Sequence, residues 1–262
     1  MGLTEEQKAS WQEDGYLVVE NVLSTDEVER LRHAVTALEE QAAGLTQSTD
    51  RFKLKVFGDG GGTRVQSIAE PHEAGGAWME LARHPRILDV VEDLLGANIQ
   101  LYYSMLMMKP PREGFQAPWH QDFAFFVHDR ADLLACMVAI DDATPENGCL
   151  RVVPGSHKLG IVNHFKDGRF TEVVQGDTSE YDDPARQRAL PAKAGSLILW
   201  HCMTLHSSQP NRSERPRRAI VFEYKNPEAR LMGGAFNGRA EVRTVGLMVR
   251  GCDPQGDLLS AV

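Results

Sequence analysis

The 262-residue chain sets 28 Lys and Arg against 37 Asp and Glu, for a formal charge of −9, with 42% hydrophobic and 25% charged residues. These proportions are ordinary for a globular enzyme with a sizeable core, and the negative balance speaks against nucleic acid or an anionic membrane as the main partner. No apolar run approaches the ~20 residues that would span a bilayer. Met-Gly-Leu-Thr-Glu-Glu at the start reads as the approach to a helix, not as a signal peptide. Cys136, Cys149, Cys202 and Cys252 are scattered without a C-x-x-C, which fits reduced thiols in a cytoplasmic protein.

In chain order, residues 1–98 read as a mostly helical support. Thr4-x-x-Gln7 and Ser24-x-x-Glu27 both have capping-box form. The first predicts a helix from Glu5 to Asp14 that stops at Gly15. The second predicts one reaching about Gln41, with Val28, Leu31, Val35 and Leu38 at three-to-four-residue spacing. Tyr16-Leu17-Val18-Val19 between them is a short β-rich run. A third helix is expected from Trp78 to Leu95, broken at Pro85 and ended by Gly96. From Ile99 the character changes. Ile99 to Met108, Leu133 to Ile140, Leu150 to Val153, Ser196 to His201 and Ala219 to Tyr224 are β-rich runs punctuated by Gly, Pro and Asn. Such spacing predicts an antiparallel sandwich or barrel over 99–225. Residues 160–192 form a polar insertion too long for a hairpin, and connections of that kind often serve as lids. Phe165 and Phe170 within it favour that role over a purely solvated loop. The remainder, 226–262, reads as a C-terminal segment of the same single domain.

The chemistry centres on His120-Gln121-Asp122. Residues two apart on a strand share a face, so this tripeptide aims an imidazole and a carboxylate at one point. A further histidine would complete the 2-His-1-carboxylate set of non-heme Fe(II) oxygenases. His201 and His206 both follow the apolar run Leu197-Ile198-Leu199-Trp200, and spacing alone leaves the choice open. The loop-forming Ser207-Ser208-Gln209-Pro210-Asn211 places His206 at a strand end, where the mouth of a barrel would lie. Arg217 shares a strand face with the small Ala219 and Val221, whereas Arg218 shares one with Ile220, Phe222 and Tyr224. Room around Arg217 suits a guanidinium that captures a carboxylate in two-pronged fashion. The aromatic Trp119 and Phe123 beside the tripeptide, with Phe165, are candidate substrate contacts.

Four ordered segments carry a resemblance. They are Met105 to Pro111, Trp119 to Asp122, Glu146 to His157, and His206 to Asn211 with Arg217 to Ile220. Together they resemble the phytanoyl-CoA dioxygenase family of Fe(II)/2-oxoglutarate-dependent oxygenases. The resemblance implies a mainly β fold with flanking helices: a double-stranded β-helix, the cupin-like jelly-roll barrel, with iron inside its mouth. It implies His120, Asp122 and His206 as metal ligands, and Arg217 with Ser208 as the grip on 2-oxoglutarate. Met105 and Arg64 fall where the family lines the co-substrate, and Met137 stands where the family often has tryptophan. Asp122, in place of the Gly or Ala of halogenating relatives, implies hydroxylation of an unactivated C–H bond with release of succinate and CO2. The other partners implied are O2 and a small-molecule substrate.

Several readings stay open on these residues. The substrate could be an acyl-CoA instead of a free metabolite, and the outcome could be desaturation, epimerisation or cyclisation. Outside the class stand a Zn or Mn isomerase or hydrolase on the same barrel, or a non-catalytic binding module. A fixed keto-acid anchor at Arg217 separates the oxygenase from both.

Overall fold

The computed structural model describes residues 2–57, 62–112, 115–233 and 246–254. The N-terminal part comprises α1 (Glu5–Asp14), β1 (Tyr16–Val19), α2 (Thr25–Ala42), β2 (Phe52–Phe57), β3 (Gly62–Ala69), α3 (Gly76–Ala82) and α4 (Pro85–Leu95). Then come β4 (Ile99–Lys109), β5 (Ala117–His120), β6 (Val127–His128), β7 (Leu133–Ala139) and β8 (Leu150–Val152). The 160–192 stretch holds β9 (Phe165–Lys166), β10 (Arg169–Phe170), a short α5 (Ser179–Asp182) and β11 (Arg188–Leu190). The chain continues through β12 (Leu197–His201), β13 (His206–Ser208), β14 (Arg217–Lys225), β15 (Leu231–Gly233) and β16 (Leu247–Arg250). Of the C-terminal segment expected at 226–262, residues 234–245 and 255–262 lie outside the described residues.

Both capping boxes form, with Thr4 and Ser24 accepting from the backbone of Gln7 and Glu27. Each ties off N–H groups that the first turn of a helix leaves unpaired. The apolar stripe Val28, Leu31, Val35, Leu38 on α2 is buried throughout. Pro85 opens α4 at its first turn, where a missing N–H costs nothing. The expected third helix is therefore two helices.

The strands form an eight-stranded sheet, ordered β1-β12-β7-β14-β4-β3-β2 with β16 added on β4, and a four-stranded sheet, ordered β11-β8-β13-β5. They face each other as a jelly roll and do not close into a hydrogen-bonded cylinder. Alternation along the central strands shows how the large sheet is shared. On β7, Leu134, Cys136 and Val138 pack against the helices, while Ala135, Met137 and Ala139 turn to the small sheet. β12 splits likewise, with Leu197 and Leu199 on one side and Ile198 and Trp200 on the other. A strand buried on both faces loses the polar-apolar alternation of a half-exposed one, which explains why these segments read as continuous apolar runs.

Two expectations are corrected. Residues 1–98 are not simply helical, since β2 and β3 form a hairpin that extends the large sheet beside β4. Phe52-Lys-Leu-Lys alternates buried or half-buried with exposed positions, as a strand with one covered face must. The 160–192 stretch is not wholly an insertion, because β11 pairs with β8 and is an edge strand of the small sheet.

Gly148 lies in the turn between β7 and β8, where Thr144 and Asn147 bond each other's backbone N–H groups. Its φ is +79°, and a Cβ there would stand 2.2 Å from the Gln209 carbonyl oxygen. Gly148→Ala is expected to cost at least about 1–3 kcal/mol, measured by thermal or denaturant unfolding. Gly160→Ala is the control, since its φ is also positive but its Cβ would meet nothing within 4 Å. Equal losses in the two variants would show that the Gln209 carbonyl yields without penalty.

Candidate active site

β5 ends at His120, but Gln121 stays extended (φ −125°, ψ 133°), so alternation carries through to Asp122. Gln121 therefore points away from the pair. Its side chain donates to the Gly160 and Met203 carbonyls and accepts from Val162 N–H, which pins the start of the 160–192 stretch. Antiparallel pairing of β13 with β5 sets His206 directly opposite His120, with ring centroids 4.0 Å apart. Asp122 Oδ1 is 3.4 Å from His206 Nε2 and 3.9 Å from His120 Nε2. One ligand atom from each of the three lies within 4.8 Å of the others.

The backbone fixes which nitrogen each ring offers. His120 Nδ1 lies 2.7 Å from the Pro118 carbonyl and His206 Nδ1 2.9 Å from that of Thr204. A carbonyl only accepts, so both Nδ1 atoms carry a proton and both Nε2 atoms face Asp122. Orientation of ligand imidazoles by such outer hydrogen bonds is a regular feature of metal sites. Burial, aided by the neighbouring His206, pushes the His120 pKa down to about 4, so that ring is neutral at pH 7. Burial opposes charge on Asp122 too, yet His206, His120 and the Trp200 N–H together hold the carboxyl below its usual range. Trp200 Nε1 donates to Asp122 Oδ2 at 2.7 Å and so orients the carboxylate.

His201 is elsewhere. It sits on the helix-facing side of β12, accepts from Met203 N–H, and lies against His157 and Trp11.

The three groups line a cavity of about 170 Å³ together with Met105, Met137, Ser208 and Arg217. Strand register explains the company. Val221, two positions beyond Ala219 on the same face as Arg217, is flanked by Met105 on β4 and Met137 on β7. Arg217 is 3% exposed. It donates through Nη2 to the Gly148 carbonyl at 2.6 Å, while its Nε is buried without a partner. Burial lowers its pKa to about 10, still cationic at neutral pH. Among the described residues no carboxylate pairs with it. Arg218, by contrast, is satisfied by Asp141 at 2.7 and 2.9 Å.

Four candidates are not brought to this cavity. β4 stops before Pro110-Pro111, so Arg64 lies beyond the part of β3 that pairs with β4, exposed in a separate groove with Glu39 and Arg218. Trp119 takes the face opposite His120, packs with Val153 and Leu205, and donates to Asp182 at 3.1 Å. Phe123 is buried in the 3₁₀ turn against Tyr102 and Cys202. Phe165 is 54% exposed, and it is Phe170 that reaches the site, edge-on to Phe125 at 5.0 Å. The rings that do line the cavity are Tyr103, Phe125, Phe126 and Trp200, and with them Glu223. The parity of β4 and β14 already marks Tyr103 and Glu223. Phe125 and Phe126 follow Asp122 in an irregular turn that has no period to read.

A profile of the phytanoyl-CoA dioxygenase family matches residues 11–219. The chain belongs to that family. It is 29% identical to a "probable alpha-ketoglutarate-dependent hypophosphite dioxygenase" of Stutzerimonas stutzeri, over 88% of this chain and 82% of that protein. It is 30% identical to the ectoine dioxygenase of Sphingopyxis alaskensis, over 86% and 76% of the two chains. Among solved structures, that of EctD from S. alaskensis with 2-oxoglutarate and 5-hydroxyectoine superposes with a TM-score of 0.71 at 28% identity, covering 87% of this chain and 78% of that one. The protein is an Fe(II)- and 2-oxoglutarate-dependent dioxygenase, which sets aside the isomerase, hydrolase and binding-module readings. Two imidazole nitrogens and a carboxylate oxygen converging on one point fit Fe(II), and a buried guanidinium with an unpartnered N–H fits a carboxylate of the keto acid.

Trp200→Phe keeps a ring in place and removes only the donor to Asp122. Loss of such an outer hydrogen bond is expected to weaken Fe(II) binding about 10–100-fold, measured by metal titration of the folded variant. Unchanged affinity would show that packing alone orients Asp122.

Proposed function

We propose that this enzyme hydroxylates an unactivated C–H bond of a free small molecule, with Fe(II) held by His120, Asp122 and His206 and 2-oxoglutarate anchored at Arg217. The observation that carries the assignment is the buried guanidinium of Arg217, which no carboxylate pairs among the described residues and which lines the same cavity as the three ligand groups. Overall, one C–H bond, O2 and 2-oxoglutarate become C–OH, succinate and CO2, and the bound iron and keto acid supply the oxidising chemistry. The chain's own part is placement. The Pro118 and Thr204 carbonyls and the Trp200 indole hold the ligands in position. Ser208 and Met105 line the same cavity and would flank the bound co-substrate. Met107, Leu150 and Val221 give the cavity an apolar wall, which keeps bulk water from the reacting centre.

A free metabolite is favoured over a CoA thioester. The phosphates of CoA call for cations, yet Arg217 is the one Lys or Arg lining the cavity among the described residues. The named substrates of the two relatives, hypophosphite and ectoine, are also small. The chain is taken as a single catalytic domain of the cytoplasm, in keeping with four unpaired cysteines. No described helix is long and apolar enough to cross a membrane.

Alanine at His120, Asp122 or His206 is expected to abolish Fe(II) binding and succinate formation, while His201→Ala leaves metal binding intact. Metal titration of the four variants checks this, and loss of metal in His201→Ala with retention in His206→Ala would reverse the assignment. For the anchor, losing a charged contact to a buried partner costs about 2–5 kcal/mol. Arg217→Ala is therefore expected to raise the 2-oxoglutarate requirement at least ~30-fold, against a small change for Arg218→Ala. Equal effects of the two would contradict the anchoring role.

A further inference from the structure

β14 places charged groups on one face at both of its ends. Arg217 pairs in register with Lys109, and Glu223, six positions on, pairs with Tyr103. Six residues of extended strand separate them by about 20 Å, and both line the cavity that holds the metal-ligand triad. The two ends are chemically opposite. At the Arg217 end stands a buried guanidinium. At the Glu223 end a carboxyl that is 5% exposed has one long hydrogen bond, from the Tyr102 hydroxyl at 3.5 Å. Among the described residues no cation pairs with it. Lys225, the nearest lysine in sequence, spends its ammonium on the Asn226 and Ala229 carbonyls.

The setting of Glu223 is costly for an ionised carboxylate. Burial foremost, and then the charge of Asp122, push its carboxyl well above the usual range. An acidic side chain in such a place is unfavourable for packing alone, since burying a polar group without a matched partner destabilises the fold. A cation bound beside it would offset that cost. The rings of Tyr103, Phe125 and Phe126 line the same cavity, and aromatic faces attract cations through their quadrupole.

We infer that Glu223, with the surrounding rings of Tyr103, Phe125 and Phe126, receives a positively charged nitrogen of the substrate, an ammonium or amidinium. The inference rests on the oxygenase reading for its geometry, with co-substrate at the Arg217 end and substrate at the other. It narrows the substrate class to compact molecules that carry a cationic nitrogen at one end and the reacting C–H bond a short distance away.

The test uses matched probe pairs that differ only at the charged group, such as cyclohexylammonium against cyclohexanol and benzamidinium against benzamide. Each is titrated calorimetrically into the full chain loaded with Fe(II) and 2-oxoglutarate under nitrogen. Wild type is expected to bind the cationic member at least ~10-fold more tightly, the scale of a hydrogen bond to a charged group. Glu223→Gln, nearly the same shape, is expected to abolish that preference, and Glu223→Asp to keep part of it. No preference in wild type, or a preference that survives in Glu223→Gln, overturns the inference. The first comparison decides even if a variant fails to fold. Succinate formation by wild type from Fe(II) and 2-oxoglutarate is scored separately, with O2 admitted. Its absence would count against the oxygenase reading, whereas the charge preference is read from binding alone.

Discussion

Everything at the site depends on the two faces of β14 being buried against different things. Ile220, Phe222 and Tyr224 enter the core shared with the helices. Arg217, Val221 and Glu223 look into the cavity, and Ala219 packs against the small sheet beside it. Because side chains alternate strictly, a slip of one residue would exchange the two sets. Three large apolar side chains would then fill the cavity, and two charges would enter a hydrocarbon core. The cost of that exchange locks the register, so the helical layer helps to hold Arg217 in place without touching it.

The same alternation runs through β7 and β12 on either side of the cavity, delivering Met137 and Trp200 inward. The small sheet contributes the other half. Its strands β5 and β13 end at the mouth, and their pairing brings His120 and His206 opposite each other from positions 86 residues apart, the difference between 206 and 120. Backbone carbonyls two residues upstream, Pro118 and Thr204, fix both imidazoles in the same way. The ligand geometry is thus built from rigid ladder, and only Asp122 relies on a side chain, Trp200, to aim it. Sites carried on paired strands hold their geometry more tightly than sites on loops.

The 160–192 stretch is tied to this scaffold at points where a wholly solvated loop would have none. His164 accepts from Gln121 N–H at 3.1 Å, and Asp182 accepts from Trp119 and Arg151. Phe170 lies against Phe125 at the cavity. The polar composition that marked the segment hid these anchors, because each is one residue among many solvated ones.

Much was legible in order and spacing. The capping boxes set the starts of α1 and α2, the helical stripe set the buried face of α2, and strand parity separated Arg217 from Arg218 and paired His120 with Asp122. These are local facts, set by helical and strand periods within a few residues. Only the tertiary structure decided which histidine joins the pair, because both follow the same apolar run, yet His201 ends β12 in the large sheet and His206 opens β13 in the small one. Arg64 fell outside the cavity because β4 ends at a Pro-Pro that no local pattern in β3 reports. Trp119 and Phe123 looked like site residues by proximity in sequence, but alternation and the 3₁₀ turn send them into other clusters. Glu223 and Trp200 gained their roles from what faces them across the two sheets. Local rules assign a residue to a face, whereas long-range strand pairing decides what that face meets.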